Sequence, residues 1–204
     1  MNVVFIGSGG HFNVLHDIVK SKKLKILAIC DVKKSKININ YNFISEKELT
    51  LLNPKSVFLV NAIGFDPNND IRKKKYAKFK KLGFNFLTLI HSSAVISDSA
   101  LIGEGSQILT NSSVMPNVSV GKNCIINTKT SVDHDSVLED NVNLSPNVTV
   151  SGNVVVKKET YVGASATILN NVTIGKNCHI FPGSVVNKHV KNNLNYTNGR
   201  VFKS

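Results

Sequence analysis

The residues best suited to chemistry sit in one short segment, Val132-Asp133-His134-Asp135-Ser136. An imidazole titrates near neutral pH, so it can take a proton from an attacking group in the transition state. A neighbouring carboxylate can fix the ring's tautomer and favour the imidazolium that forms. Asp135 is the first choice for that partner, and Asp133 competes with it from the other side. Taken alone, the segment favours an idle histidine on an exposed turn. His91 and His179 lack even an adjacent carboxylate.

A second cluster, Gly7-Ser8-Gly9-Gly10-His11, follows the apolar run 3–6 and opens a helical pattern over 11–20. Free N–H groups at such a helix start can hold phosphate or another polar ligand group. The dinucleotide fingerprint GxGxxG fails, because its third glycine would fall at Phe12. Asp31 ends the apolar run 24–30, where a carboxylate could accept from a ribose hydroxyl. Residues 1–90 are too few for both halves of a dinucleotide site, so NAD is not expected. His11 reads equally as a helix-start residue and as a ligand contact.

The elements that must position these groups fall into two regimes. Up to residue 90, apolar runs at 3–6, 24–30, 57–63 and 84–90 alternate with helical patterns at 11–20 and 69–81. Nearly continuous apolar strands separated by helices predict a small parallel sheet with helices on its faces, a Rossmann-like arrangement.

Beyond residue 90 an aliphatic residue recurs at every sixth place from Ile96 to Val186, sixteen positions without a gap. Two places before each stands a small or β-branched residue, Cys124 and Cys178 among them. A helix needs spacings of three and four and an amphipathic strand needs alternation, so a period of six fits neither. It suits a three-sided prism in which each hexad makes one short strand and one turn, and residues 96–186 make about five coils. The expected division is 1–90, 91–190 and a tail at 191–204.

Composition narrows the classes. The formal net charge of +12 favours anionic partners without choosing among them. The densest basic run, Arg72 to Lys81, carries Tyr76 and Phe79 at roughly helical spacing and reads as a solvated helix face. No base-stacking arrangement or nucleic-acid module accompanies it, so nucleic acid is not expected as a partner. The three cysteines form no CxxC pair, so neither a disulfide framework nor a metal site is indicated, and a reducing cytoplasm fits best. Neither a signal-peptide pattern nor a stretch able to span a bilayer is present, so membrane insertion is not expected.

The hexads Ile102-Gly103-Glu104-Gly105-Ser106, Val120-Gly121-Lys122-Asn123-Cys124 and Ile174-Gly175-Lys176-Asn177-Cys178 resemble those of the hexapeptide acyltransferases. The segment Gly7 to His11 and the junction Leu89-Ile90-His91-Ser92-Ser93-Ala94 narrow the likeness. Together they resemble the bacterial sugar acetyltransferases that include UDP-4-amino-sugar N-acetyltransferases and sialic acid O-acetyltransferases. The resemblance implies a left-handed parallel β-helix, a homotrimer, acetyl-CoA lying along the β-helix between neighbouring subunits, and a sugar-binding N-terminal domain. It makes His134 the catalytic base with Asp135, where the family usually has Glu, as its orienter.

The same resemblance matches Asn143, Ala164, Pro182 and Gly183 to positions that meet CoA, Asn143 standing where the family often has a second histidine. It matches Gly9, Gly10, His11, Asp31, Val32 and Gly64 to the nucleotide-sugar pocket. For Ala164 and Pro182-Gly183, simple turn geometry explains the residues as well. The tail lacks the Gly-x-Pro-Ala-Lys ending common in these transferases. The function expected is acetyl transfer from acetyl-CoA to the 4-amino group of a nucleotide-linked dideoxy-amino sugar. O-acetylation of a sialic acid type sugar and a trimeric scaffold without catalysis are the alternatives.

Overall fold

A computed structural model describes residues 1–32, 41–66 and 69–203. The chain forms two compact units, Met1–Leu89 and Ile90–Ser204.

In the first unit, strands β1 (Asn2–Ile6), β2 (Lys25–Cys30), β3 (Phe43–Ile44), β4 (Phe58–Asn61) and β5 (Asn85–Phe86) form a sheet in the order β3-β2-β1-β4-β5. All four pairings are parallel. Helix α1 (Gly10–Ser21) buries Phe12, Leu15, Ile18 and Val19, one stripe at helical spacing. Helix α2 (Glu46–Thr50) begins with a capping box between Ser45 and Glu48. Helix α3 (Ile71–Lys81) carries the basic run.

Four elements differ from the sequence expectation. Strand β3 and helix α2 were not anticipated, because two residues and five residues are too short to show a period. The run 84–90 splits into β5 and Leu89–Ile90, the latter belonging to a sheet of the second unit. The basic face of α3 is not wholly solvated: Arg72 is buried and donates to the carbonyls of Asn61 (2.8 Å) and Ile63 (2.7 Å). Lys75 and Lys78 both pair with Glu46.

The second unit is a three-sided parallel β-helix. Two-residue strands pair with the strand 18 residues on, as Ser113 with Ser131 and Ile125 with Asn143. One face stacks strands such as Ile125–Ile126, Asn143–Leu144 and Tyr161–Val162. The second stacks Ser113–Val114, Ser131–Val132 and Thr149–Val150, and the third Ser119–Val120, Val137–Leu138 and Val155–Val156. The hexad aliphatics from Ile108 to Val186 are all 3% exposed or less. Ile96 and Ile102 are only partly buried, as expected for a first coil with no coil before it. At the far end Tyr196 is fully buried and its hydroxyl donates to the Val185 carbonyl. The expected tail carries two further strands, Asn195–Thr197 and Arg200–Phe202; Ser204 lies outside the described residues.

The corners explain two more sequence columns. In several hexads the small residue does more than leave room. Ser106, Thr130, Ser136 and Thr160 donate to a carbonyl 15 residues on, at 2.7–2.9 Å. The thiols of Cys124 and Cys178 contact carbonyls 15 and 13 residues on, at 3.2 and 3.1 Å. Burial pushes the Cys178 thiol pKa up, which suits packing and not nucleophilic chemistry. The residue just before the small one lies at positive φ coil after coil, as in Asn111, Asn117, Asp135, Asn153 and Asn171. Asn, Asp and Gly take that conformation most readily, which accounts for the asparagine-rich column.

Candidate active site

His134 and Asp135 occupy the turn that leads from Ser131–Val132 to Val137–Leu138, the corner between the second and third faces. Nδ1–H of His134 donates to Oδ2 of Asp135 at 2.8 Å. A carboxylate only accepts, so this bond puts the proton on Nδ1 and leaves the lone pair on Nε2. Asp133 uses Oδ1 to accept the backbone N–H of His134 at 2.8 Å, so of the two flanking carboxylates Asp135 is the one bonded to the ring. The bond to Asp135, then the nearby charge of Asp133, holds the imidazole above its usual pKa, with slight burial opposing. Asp135 is held below the usual carboxylate range by His134 and then by Asn117. Both side chains stay about half exposed, at 53% and 45%.

The backbone is fixed from both neighbouring coils. Asp135 N–H donates to the Pro116 carbonyl, and Asn153 N–H to the His134 carbonyl, both at 3.0 Å. Asp135 sits at φ 59°, and from there its short side chain reaches the ring. Two neighbours escaped the sequence reading. Asn117, 18 residues before Asp135, donates from Nδ2 to its Oδ1 at 3.0 Å. Gly152, 18 residues after His134, lies against the ring: a Cβ there would come within 2.7 Å of Cε1 and Nε2. The signal available was the coil period itself, which stacks residue i on i±18.

The CoA-matched residues lie elsewhere on the same column. Asn143 is 6% exposed on the first face, across the prism from the His134 corner. Ala164, Pro182 and Gly183 come together on the corner between the first and second faces, where Gly183 N–H donates to the Ala164 carbonyl at 2.8 Å. Gly183 has φ 68°, so turn geometry alone requires a residue of this type there. Within one chain, therefore, these four residues do not meet His134.

In the first unit a cavity of about 890 Å³ opens over the C-terminal ends of β1, β2 and β4. Gly9, Gly10, His11, Asp31, Val32 and Gly64 all line it. Gly7 has φ 93° and its missing Cβ would meet Ile63 at 2.9 Å, so the turn itself demands glycine. Gly9 and Gly10 face open space instead, leaving the start of α1 bare toward the cavity. Asp31 braces this loop: Oδ2 accepts from Ser8 N–H (2.8 Å) and Ser8 Oγ (2.5 Å), and Oδ1 from Val32 N–H (2.6 Å). The other wall, Phe43 to Lys47 together with Lys75, was not anticipated, because it is built from β3, α2 and α3. Cys30 lines the cavity too, but burial pushes its thiol up to about 11, so it remains a protonated packing residue.

Known proteins share both halves. Residues 2–79 match the PglD N-terminal domain family, and residues 99–134 match the bacterial transferase hexapeptide family (six repeats). A variant of perosamine N-acetyltransferase from Caulobacter crescentus, solved with CoA and GDP-perosamine, is 28% identical, with a TM-score of 0.88 over 99% of this chain and 96% of that one. The acetyltransferase domain of PglB from Neisseria gonorrhoeae, solved with acetyl coenzyme A, is 26% identical, with a TM-score of 0.90 over 100% of this chain and 98% of that one. A PglD-type N-terminal domain followed by transferase hexapeptide repeats is consistent with a sugar acetyltransferase. WeeI from Acinetobacter baumannii, 24% identical with a TM-score of 0.87 over 99% of this chain and 100% of that one, shares the fold. The column of this chain is a left-handed parallel β-helix. Among its described residues no helix is long and apolar enough to cross a membrane.

Proposed function

We propose that this protein transfers the acetyl group of acetyl-CoA to the 4-amino group of a nucleotide-linked amino sugar, with His134 as general base. The observation that carries the proposal is the bond from His134 Nδ1–H to Asp135, which leaves a basic Nε2 on an accessible corner of the β-helix. The thioester supplies an already activated carbonyl, so direct attack needs no acyl-enzyme. His134 Nε2 takes the proton from the amine as the C–N bond forms and the C–S bond breaks, and the imidazolium returns it to the departing thiolate. Asp135 steadies the imidazolium and keeps the ring in the right tautomer.

The acceptor fits the cavity of the first unit. A nucleotide diphosphate meets the bare start of α1 and the nearby Lys47 and Lys75, while Asp31 keeps the loop in shape. The complexes of the related perosamine enzyme with CoA and GDP-perosamine support this choice of substrates. The separation of Asn143, Ala164, Pro182 and Gly183 from His134 supports a homotrimer in which a neighbour's copies of those residues complete the acetyl-CoA site.

The test is a thiol-release assay with acetyl-CoA against UDP-, GDP- and dTDP-linked 4-amino sugars, with free sialic acid included. Turnover with a nucleotide-linked amine, falling about 10²–10⁴-fold in His134→Ala with the fold retained, is expected. A response to sialic acid alone, or no CoA-dependent turnover with any acceptor, would overturn the proposal.

A further inference from the structure

The asparagine column along the corners forms side-chain ladders from coil to coil. Asn123 Nδ2 donates to Asn141 Oδ1 at 2.8 Å, and Asn177 Nδ2 to Asn193 Oδ1 at 3.2 Å. At the His134 corner the same rung joins Asn117 to Asp135, so a carboxylate stands in the place of the upper amide. An amide in that place would end the ladder with a donor group. The carboxylate instead has a second oxygen, and this one takes the imidazole N–H.

We propose that Asn117 is a positioning residue for the catalytic pair: its amide holds one oxygen of Asp135 so that the other stays aimed at His134 Nδ1. This rests on the assignment of His134 as the base. Asn117 is itself fixed, with φ 60° and its backbone N–H donating to Ser99 Oγ at 3.0 Å. Asp135 has its backbone pinned to Pro116, so the remaining freedom of its carboxylate is rotation about its own side-chain bonds. With 45% of that side chain exposed, water competes for both oxygens, and a neutral donor on one of them removes the rotation. A cationic donor would do the same but would compete with the imidazolium for the carboxylate.

The surroundings of the ring make the contact readable. The charged groups acting on His134 are Asp135 and Asp133, both in its own turn. The turn one coil below, 115–118, and the turn one coil above, 151–154, contain no ionisable side chain. The titration of His134 therefore reports how firmly Asp135 is held against it.

Asn117→Gly removes the amide while keeping a residue that accepts φ 60° without strain. Asn117→Ser, whose hydroxyl is too short to span to Asp135, is the second variant should the first fail to fold. Asn177→Gly removes a ladder rung remote from the corner and serves as control. The first measurement is the NMR titration of the His134 ring, which needs no substrate. In both Asn117 variants the ring is expected to titrate at lower pH than in the parent protein, and in Asn177→Gly at the same pH. The second is kcat/KM against pH: a loss of about 3- to 10-fold at the plateau, in kcat and not in KM, with the acidic limb moved to lower pH. An unchanged His134 titration in a folded Asn117 variant overturns the inference. Failure of the parent protein to acetylate any sugar would instead strike the proposed function and leave the titration result standing.

Discussion

Replacing Gly152 with alanine separates catalysis from folding in this protein. The added Cβ would lie 2.7 Å from Cε1 and Nε2 of His134 and 3.3 Å from Cδ2. Carbon atoms settle at about 3.5–4.0 Å, so the ring must retreat by roughly 1 Å. In the proposed reaction a shift of that size carries Nε2 away from the attacking amine, or else it breaks the 2.8 Å bond to Asp135. Misplacing a reacting group by about 1 Å costs on the order of 10²-fold in rate. The fold has little reason to suffer, because Gly152 is outside the positive-φ set and the atoms it would strike belong to a half-exposed side chain and not to backbone.

Gly121 gives the opposite case. Its Cβ would meet the backbone of Glu139 and Asp140 at 2.7 and 2.6 Å, and backbone cannot rotate aside. Gly121→Ala is therefore expected to lose stability, by about 1–3 kcal/mol, before it loses intrinsic activity. Steady-state kcat/KM and thermal melting on both variants check the pair: Gly152→Ala slow and stable, Gly121→Ala active and less stable. A Gly152→Ala protein with the parent's kcat/KM would show that the ring position seen over Gly152 is not the one used in catalysis.

Asp135→Asn removes the main cause that raises the His134 pKa. A raised pKa keeps the base protonated to higher pH, so its loss moves the acidic limb of kcat/KM to lower pH while the plateau falls, as a pH–rate profile will show. Asp31→Ala frees Ser8 N–H, Ser8 Oγ and Val32 N–H, and KM for the sugar nucleotide should rise about 10-fold or more while KM for acetyl-CoA stays put. Ile126→Ala empties a fully buried prism position and should lower stability by about 2–5 kcal/mol, read from a denaturant midpoint.

The β-helix was legible because a period of six is a strong constraint: one aliphatic per hexad, buried from Ile108 onward, sets the strand, the turn and the coil together. The glycine loop after β1 was legible for a similar local reason, since a strand, a tight turn and a helix start follow one another directly. Short elements were not. Strand β3 and helix α2 supply much of one cavity wall, yet at two and five residues they show no period, and the Ser45–Glu48 capping box marks only where α2 starts.

By itself the sequence determined which residues could titrate and which could fill the prism, because those properties belong to side-chain type and spacing. It left open whether Asp133 or Asp135 serves the imidazole, since both stand one residue away. In the folded chain the ring bonds to Asp135, which sits at positive φ, while Asp133 accepts a backbone N–H. Tertiary structure also brought Asn117 and Gly152 to the pair from 18 residues before and after, and it placed Asn143 and Ala164 on other sides of the column. Chemistry of a residue is local, but its neighbours across coils exist only once the chain has wound.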